Sequence, residues 1–185
     1  MSPMATRPSE MAIPAAALAA LRQAITSEFG GDSAARVLRN AGHDAGDAFF
    51  HLLANDSDAE AGRAALSQID ADTFWRRFTQ LFSSRGWGTL SHGLVHPGIA
   101  VLTASDWAEA TAGSAPRPSC YFTTGLLANV LGKVAGSDVS VMEVECRSRG
   151  DASCRFLFGS PDALSSVYHM LLAGESPDSA VAQLV

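Results

Sequence analysis

Three cysteines and one glutamate are the residues of this chain with the most chemistry to offer. Cys146 and Cys154 are separated by seven residues that include the turn signal Arg149-Gly150-Asp151. Upstream, Val139 to Glu145 alternates apolar and polar side chains, and downstream Cys154-Arg-Phe-Leu-Phe reads as a second strand. A hairpin with one sulfur on each arm brings its two thiols together. Cys120 follows Pro116-Arg-Pro-Ser at the start of a predicted helix. Cys120, Glu143, Cys146 and Cys154 thus offer four donors, and thiolate and carboxylate both bind zinc, with closed four-coordination typical of a structural site. Two other readings stand beside this one. The cysteines can be small buried hydrophobes, or Cys146 and Cys154 can form a disulfide, which a reducing compartment disfavours. Alternation also puts residues three apart on opposite faces of a strand. Glu143 and Cys146 can share an ion only across a bulge, and Glu145 is the rival donor.

The run Glu-Val-Glu-Cys-Arg at 143–147, Gly150 three residues on, and Cys154-Arg155 together resemble the signature of the vinyl-4-reductase domain family. Cys120 and Gly125 at a Cys-x4-Gly helix start add to the resemblance. That family includes the sensory domains of phenol- and xylene-responsive bacterial activators, a protein of bacteriochlorophyll synthesis, and small stand-alone proteins described as hydrocarbon-binding. The resemblance is specific over residues 116–160 and diffuse before them. It implies a structural zinc ion held by Cys120, Glu143, Cys146 and Cys154, with Glu143 favoured over Glu145. It further implies a fold like that of transport-protein-particle subunits and a homodimer formed through the helical half. In the phenol sensors a His and a Trp hold the phenolic hydroxyl, and no motif here matches either residue.

Composition sets the outer limits. Hydrophobic residues make up 47% of the 185 and charged residues 17%, a balance that folds and excludes disorder. The net charge is −6 and Lys133 is the single lysine, so the clustered cations that grip a phosphate backbone are missing. No apolar run approaches the ~18 residues of a membrane span. Residues 1–12 show no signal-peptide pattern and read as a flexible leader to a cytoplasmic protein.

These donors need elements to hold them. A single domain is expected over 13–175, with a helical half at 13–85, a sheet and zinc-site half at 86–175, and a tail at 176–185. Residues 13–29 read as a helix with Leu18, Leu21, Ile25 and Phe29 at helical spacing, Pro14 in the first turn and Gly30-Gly31 as the stop. A second helix runs from Asp32-Ser33 to Leu53, and Gly42 and Gly46 within it mark close packing or a bend. His43, Asp47 and His51 share one of its faces, as a polar stripe or a second metal site. Helices at 58–69 and from Asp70 follow, the latter with an aromatic face of Phe74, Trp75, Phe78, Leu81 and Phe82. A hairpin with arms at 87–93 and 98–104 turns at His96-Pro97-Gly98, with His92 on a solvated face or turned into a pocket. The helix from Cys120 ends at Gly132 or Gly136. The last helix starts at Pro161 and puts Leu164, Val167, Tyr168, Leu171 and Leu172 on its core face, and the tail can add a short helix.

This order predicts an α+β fold with a four-stranded antiparallel sheet covered by helices on one face. No nucleophile elbow, P-loop or dinucleotide motif is present, so an enzyme is the weaker reading. The stronger one is a stand-alone zinc-pinned module that binds or senses a small apolar or aromatic ligand. Candidate ligand-lining residues are Phe74, Phe78, Trp87, Ile99, Tyr121 and Phe122, chosen for side-chain type and nearness to the sheet. A tetrapyrrole-binding factor of bacteriochlorophyll metabolism and a structural dimerising scaffold are the alternatives.

Overall fold

The computed structural model describes residues 10–55 and 58–184; the leader expected at 1–12 falls mostly outside them. Seven helices and four strands follow in the order α1 Ala15–Phe29, α2 Gly31–Ala54, α3 Ala59–Ser67, α4 Ala71–Ser83, β1 Ser91–His96, β2 Ile99–Ala104, α5 Tyr121–Ala135, β3 Ser140–Glu145, β4 Cys154–Gly159, α6 Pro161–Leu172 and α7 Pro177–Ala182. Side-chain caps set several helix starts. Asp58 accepts from the Ala61 N–H and Asp70 from the Thr73 N–H, each at 2.8 Å, while Ser160 and Ser176 cap α6 and α7 ahead of a proline. No helix among the described residues is long and apolar enough to cross a membrane.

The sheet is antiparallel throughout, in the order β1-β2-β4-β3. One face of β2 and β4 carries Leu102, Ala104, Cys154 and Phe156 into a core built with α2, α4 and α5. The other face carries Ile99 and Leu157, with Val144 of β3, against Leu164 and Val167 of α6 and Ala180 and Val181 of α7. Helices therefore cover both faces, where the sequence predicted one. The cause lies in Phe156-Leu157-Phe158, an unbroken apolar run that has side chains to bury on each side. On α6 itself Leu164 and Val167 are buried, whereas Tyr168 and Leu172 stand exposed, so its core face is narrower than predicted. β1 also starts later than predicted, at Ser91, because Trp87–Leu90 packs as irregular chain.

Gly42 and Gly46 leave α2 unbroken over 24 residues. They serve close packing against α5. A Cβ on Gly42 would lie 2.0 Å from the Phe122 carbonyl oxygen, and one on Gly46 would lie 2.5 Å from the Asn129 Cβ. From the α5 side, a Cβ on Gly125 would lie 1.9 Å from the Arg39 carbonyl oxygen. The two helix backbones touch, as only glycine allows.

α1 is peripheral. It buries none of its residues fully, and Leu21 and Phe29 point outward.

Because backbone cannot yield as a side-chain tip can, Gly125→Ala should cost about 3 kcal/mol despite alanine's better helix propensity. Gly31→Ala, whose Cβ meets only the end of the Arg117 side chain at 3.1 Å, should change stability by less than ~0.5 kcal/mol. Urea denaturation of the two variants beside the wild type measures both.

Candidate metal centre

The four donors come from three elements. Cys120 is the N-cap residue of α5, Glu143 lies in β3, Cys146 follows β3, and Cys154 opens β4 opposite Ala104. The register of β3 against β4 shifts between Glu143, opposite Phe156, and Glu145, opposite Arg155. At this bulge Val144 and Glu145 both serve the α6–α7 side of the sheet. Val144 is buried in that core, and Glu145 accepts from Arg155, which also holds Asp178 of α7 at 2.6 Å. Glu143 and Cys146 are thereby left together on the opposite face. The rival donor, Glu145, faces away from the sulfurs.

The connection from Cys146 to Cys154 is tightly built. Cys146 donates its N–H to Asp151 Oδ2 at 2.7 Å, and its carbonyl accepts from the N–H groups of Arg149 and Asp151. Arg147–Arg149 forms a 3-10 turn that closes on Gly150 at φ 106°, a conformation that favours glycine. The loop before α5 is tied to this turn, with Gly113 N–H on the Arg147 carbonyl and Ala115 N–H on that of Ser148.

The ligand atoms of Cys120, Glu143, Cys146 and Cys154 all lie within 4.8 Å of one another. Cys120 Sγ is 3.8 Å from Cys146 Sγ and 3.9 Å from Cys154 Sγ. A tetrahedron with metal–sulfur bonds of about 2.3 Å has edges of about 3.8 Å, whereas a disulfide needs about 2.05 Å. All three cysteines are free thiols with no exposed surface. Glu143 divides its oxygens. Oε2 accepts the Cys120 N–H at 2.8 Å, and Oε1 is buried without a hydrogen-bond partner. An orphaned carboxylate oxygen beside three buried sulfurs is a donor set short of a cation. This group could hold a metal ion.

Its electrostatics agree. Hydrogen bonds from the Cys120 and Cys154 thiols hold Cys146 well below the usual thiol range. Contact with Cys146 and Cys154, added to burial, pushes Cys120 up. At Cys154 the hydrogen bond with Cys120 lowers the value, but Cys146 and burial prevail and raise it to about 12. Burial, then the charge on Cys146, raises Glu143 to about 8. The site tolerates one negative charge unaided. Filling it with a divalent cation makes the remaining donors give up their protons.

Residues 101–160 match the vinyl-4-reductase domain. All four donors fall inside that stretch, and it is the family that the hairpin signature resembles. The likeness in fold extends over most of the chain. The phenol-responsive sensory domain of the transcription activator PoxR, solved with phenol, superposes with a TM-score of 0.67 at 16% identity, over 90% of this chain and 84% of that one. A vinyl-4-reductase family protein from Methanocaldococcus jannaschii superposes with a TM-score of 0.52 at 20% identity, over 82% and 83% respectively. At these identities the likeness is one of fold. No curated protein matches the chain.

The six candidate lining residues separate. Phe78 is fully buried, and Phe74, Trp87 and Phe122 pack around the same core. They belong to one layer of rings that runs from Phe74 through Phe78 and Phe82 to Trp87 and Phe122, with centroids 5.2–6.5 Å apart. Ile99 lies across the sheet with α6 and α7. Tyr121 faces α2, under the guanidinium of Arg39. His92 is exposed on β1 and stacks on Trp75 at 4.5 Å. The second metal reading at His43, Asp47 and His51 does not assemble, since Asp47 pairs with Lys133 at 3.2 Å and accepts from Asn129 at 2.9 Å.

Glu109 is the residue that sequence reasoning missed. It is 1% exposed, accepts the N–H groups of Phe122 and Thr123 at 3.0 and 2.8 Å and the Thr123 hydroxyl at 2.5 Å, and pairs with Arg22 of α1 at 3.4 Å. Thr123 in turn accepts from the indole N–H of Trp107 at 2.7 Å. No local pattern announces this cap, because its partners stand 13 and 14 residues away.

Burial raises Glu109 above its ordinary value of 4.5, outweighing Arg22 and the hydrogen bonds. An acid with a raised folded-state value contributes most below its unfolded value and loses that contribution as pH climbs. The stability advantage of wild type over Glu109→Gln should therefore shrink as pH rises above about 4.5, as measured by thermal melts across pH.

Proposed function

We propose that residues 13–175 form a cytoplasmic, zinc-pinned module that binds a small apolar or aromatic molecule and passes that event to a partner. The observation that carries the zinc half is the buried Cys120, Glu143, Cys146 and Cys154 set, with its sulfur spacing and its orphaned Glu143 oxygen. Thiolate-rich tetrahedral sites select zinc among common divalent metals. Four protein donors leave no open position, so the ion's work is structural. It clamps the start of α5 to the β3–β4 hairpin and turns binding energy into folding energy.

The ligand half is supported by the likeness to a sensory domain solved with phenol and by the layer of rings between sheet and helices. Phe74, Trp87 and Phe122 are half-buried within that layer and are the side chains best placed to open around an aromatic guest. Trp75 and His92, stacked at its edge, supply an indole N–H and an imidazole for a polar substituent. The close packing of Phe78, Phe82, Trp107 and Phe156, each at most 1% exposed, favours a second reading, a scaffold with a filled core.

Native mass spectrometry of the chain purified without added metal decides the first half. One zinc per chain is expected, retained in Glu145→Gln and lost or loosened in Glu143→Gln, Cys120→Ser and Cys154→Ser. At zinc levels ~1,000 times Kd the bound ion adds about 4 kcal/mol, so chelation should lower Tm by about 10 °C. A metal-free chain with an unchanged Tm in chelator sinks the zinc claim. Tryptophan fluorescence titrated with phenol and with toluene addresses the ligand. Saturable quenching by either supports a guest site in the ring layer, and linear, non-saturating quenching by both favours the scaffold.

A further inference from the structure

A groove of about 620 Å³ opens between α2, the Arg117–Pro118 segment, β3 and α6. It lies outside the ring layer, and its chemistry is independent of the aromatic-ligand reading. Four of the chain's thirteen cationic side chains line it, Arg36, Arg39, Arg117 and Arg149, although the chain carries a net charge of −6. Arg117 is matched by Asp32 and Arg149 by Asp151, each at 2.7 Å. Glu175, also in the groove, accepts from the Ser179 hydroxyl at 2.7 Å. Arg36 and Arg39 form no ion pair among the described residues. Arg36 reaches the Ser33 hydroxyl at 3.3 Å, and Arg39 stands 6.0 Å from the Tyr121 ring centroid.

Two like charges at i and i+3 on a helix face repel, and the fold supplies nothing to offset them. The opposite wall is apolar and equally uncommitted, with Tyr168 50% and Leu172 66% exposed beside Leu171 and Met142. Unneutralised guanidinium groups facing exposed apolar side chains across one groove suit a ligand with both properties.

We propose that this groove binds an organic carboxylate with an apolar body, its head taken by Arg36 and Arg39 and its body laid along Tyr168 and Leu172. Guanidinium groups present paired N–H donors that match a carboxylate's two oxygens, and Arg39 already has its plane steadied by Tyr121. Glu143 forms part of the groove wall, so the occupant sits against the carboxylate side of the metal centre without displacing a donor.

Isothermal titration calorimetry of the full chain with decanoate, decanol and inorganic phosphate tests this. Decanoate should bind one per chain, at least about tenfold tighter than decanol, because the alcohol keeps the tail and loses the charged hydrogen bonds. It should also bind at least about tenfold tighter than phosphate, which has charge but no tail. The double variant Arg36→Gln/Arg39→Gln should weaken decanoate by about tenfold or more while leaving Tm and zinc content unchanged. Decanoate and decanol binding alike, phosphate matching decanoate, or a double variant that binds decanoate as wild type does would each overturn the assignment.

Discussion

The bulge at Val144–Glu145 is the constraint on which both layers of the molecule depend. A regular β3 would turn Glu143 and Cys146 to opposite faces and split the donor set. Two consecutive side chains on the α6–α7 face leave the donors together on the α5 face. The same irregularity supplies the second layer, since Val144 enters the aliphatic core and Glu145 joins Arg155, which reaches Asp178 at the start of α7. Metal donors and C-terminal helices are thus attached to one strand at one point.

The other half of the centre depends on where α5 can lie. Its backbone rests on α2 through Gly42 and Gly125, so its height above the sheet is fixed by atoms that cannot repack. Its first turn is then held by two glutamates. Glu143 takes the Cys120 N–H, and Glu109 takes those of Phe122 and Thr123. These are the amides that an α-helix leaves unpaired. Carboxylates at this end also answer the helix dipole, which favours negative charge there and extends the same benefit to the thiolate at Cys146. Glu143 therefore has two tasks, one per oxygen. A substitution there removes a helix cap as well as a metal donor.

Much of this is legible in the chain itself, and for identifiable reasons. Cys146, Gly150 and Cys154 announce a hairpin because turn chemistry and strand alternation are local. Only the family resemblance prefers Glu143 to Glu145, since alternation argues against it and a bulge leaves little mark in a sequence. Gly42 and Gly46 are visible as exceptions inside a helix, but close packing and a bend look the same until the partner helix is known. Glu109 is silent. It sits in irregular chain between Trp107 and Cys120, and its importance comes entirely from residues brought to it by the fold. The ring layer shows the same limit from another side. Phe78 and Ile99 are equally apolar in sequence, yet the sheet lies between them.

A module that reports on a ligand needs a rigid reference and an element whose position few contacts determine. The hairpin, α5 and α2 form the reference, tied by backbone contact and the donor set. α1 has the opposite character. It buries no residue fully, and its polar tie to the rest of the described structure is Arg22, which reaches the Glu109 carboxylate and backbone carbonyl together with the Ser119 carbonyl at 2.9 Å and hydroxyl at 3.2 Å. Ser119 immediately precedes the metal donor Cys120, and Glu109 caps the helix that Cys120 opens. The least committed helix is therefore fastened, through one side chain, to the most committed corner of the molecule. Any small shift of the α5 start alters the carbonyl and carboxylate that Arg22 grips, and the position of α1 follows from that grip.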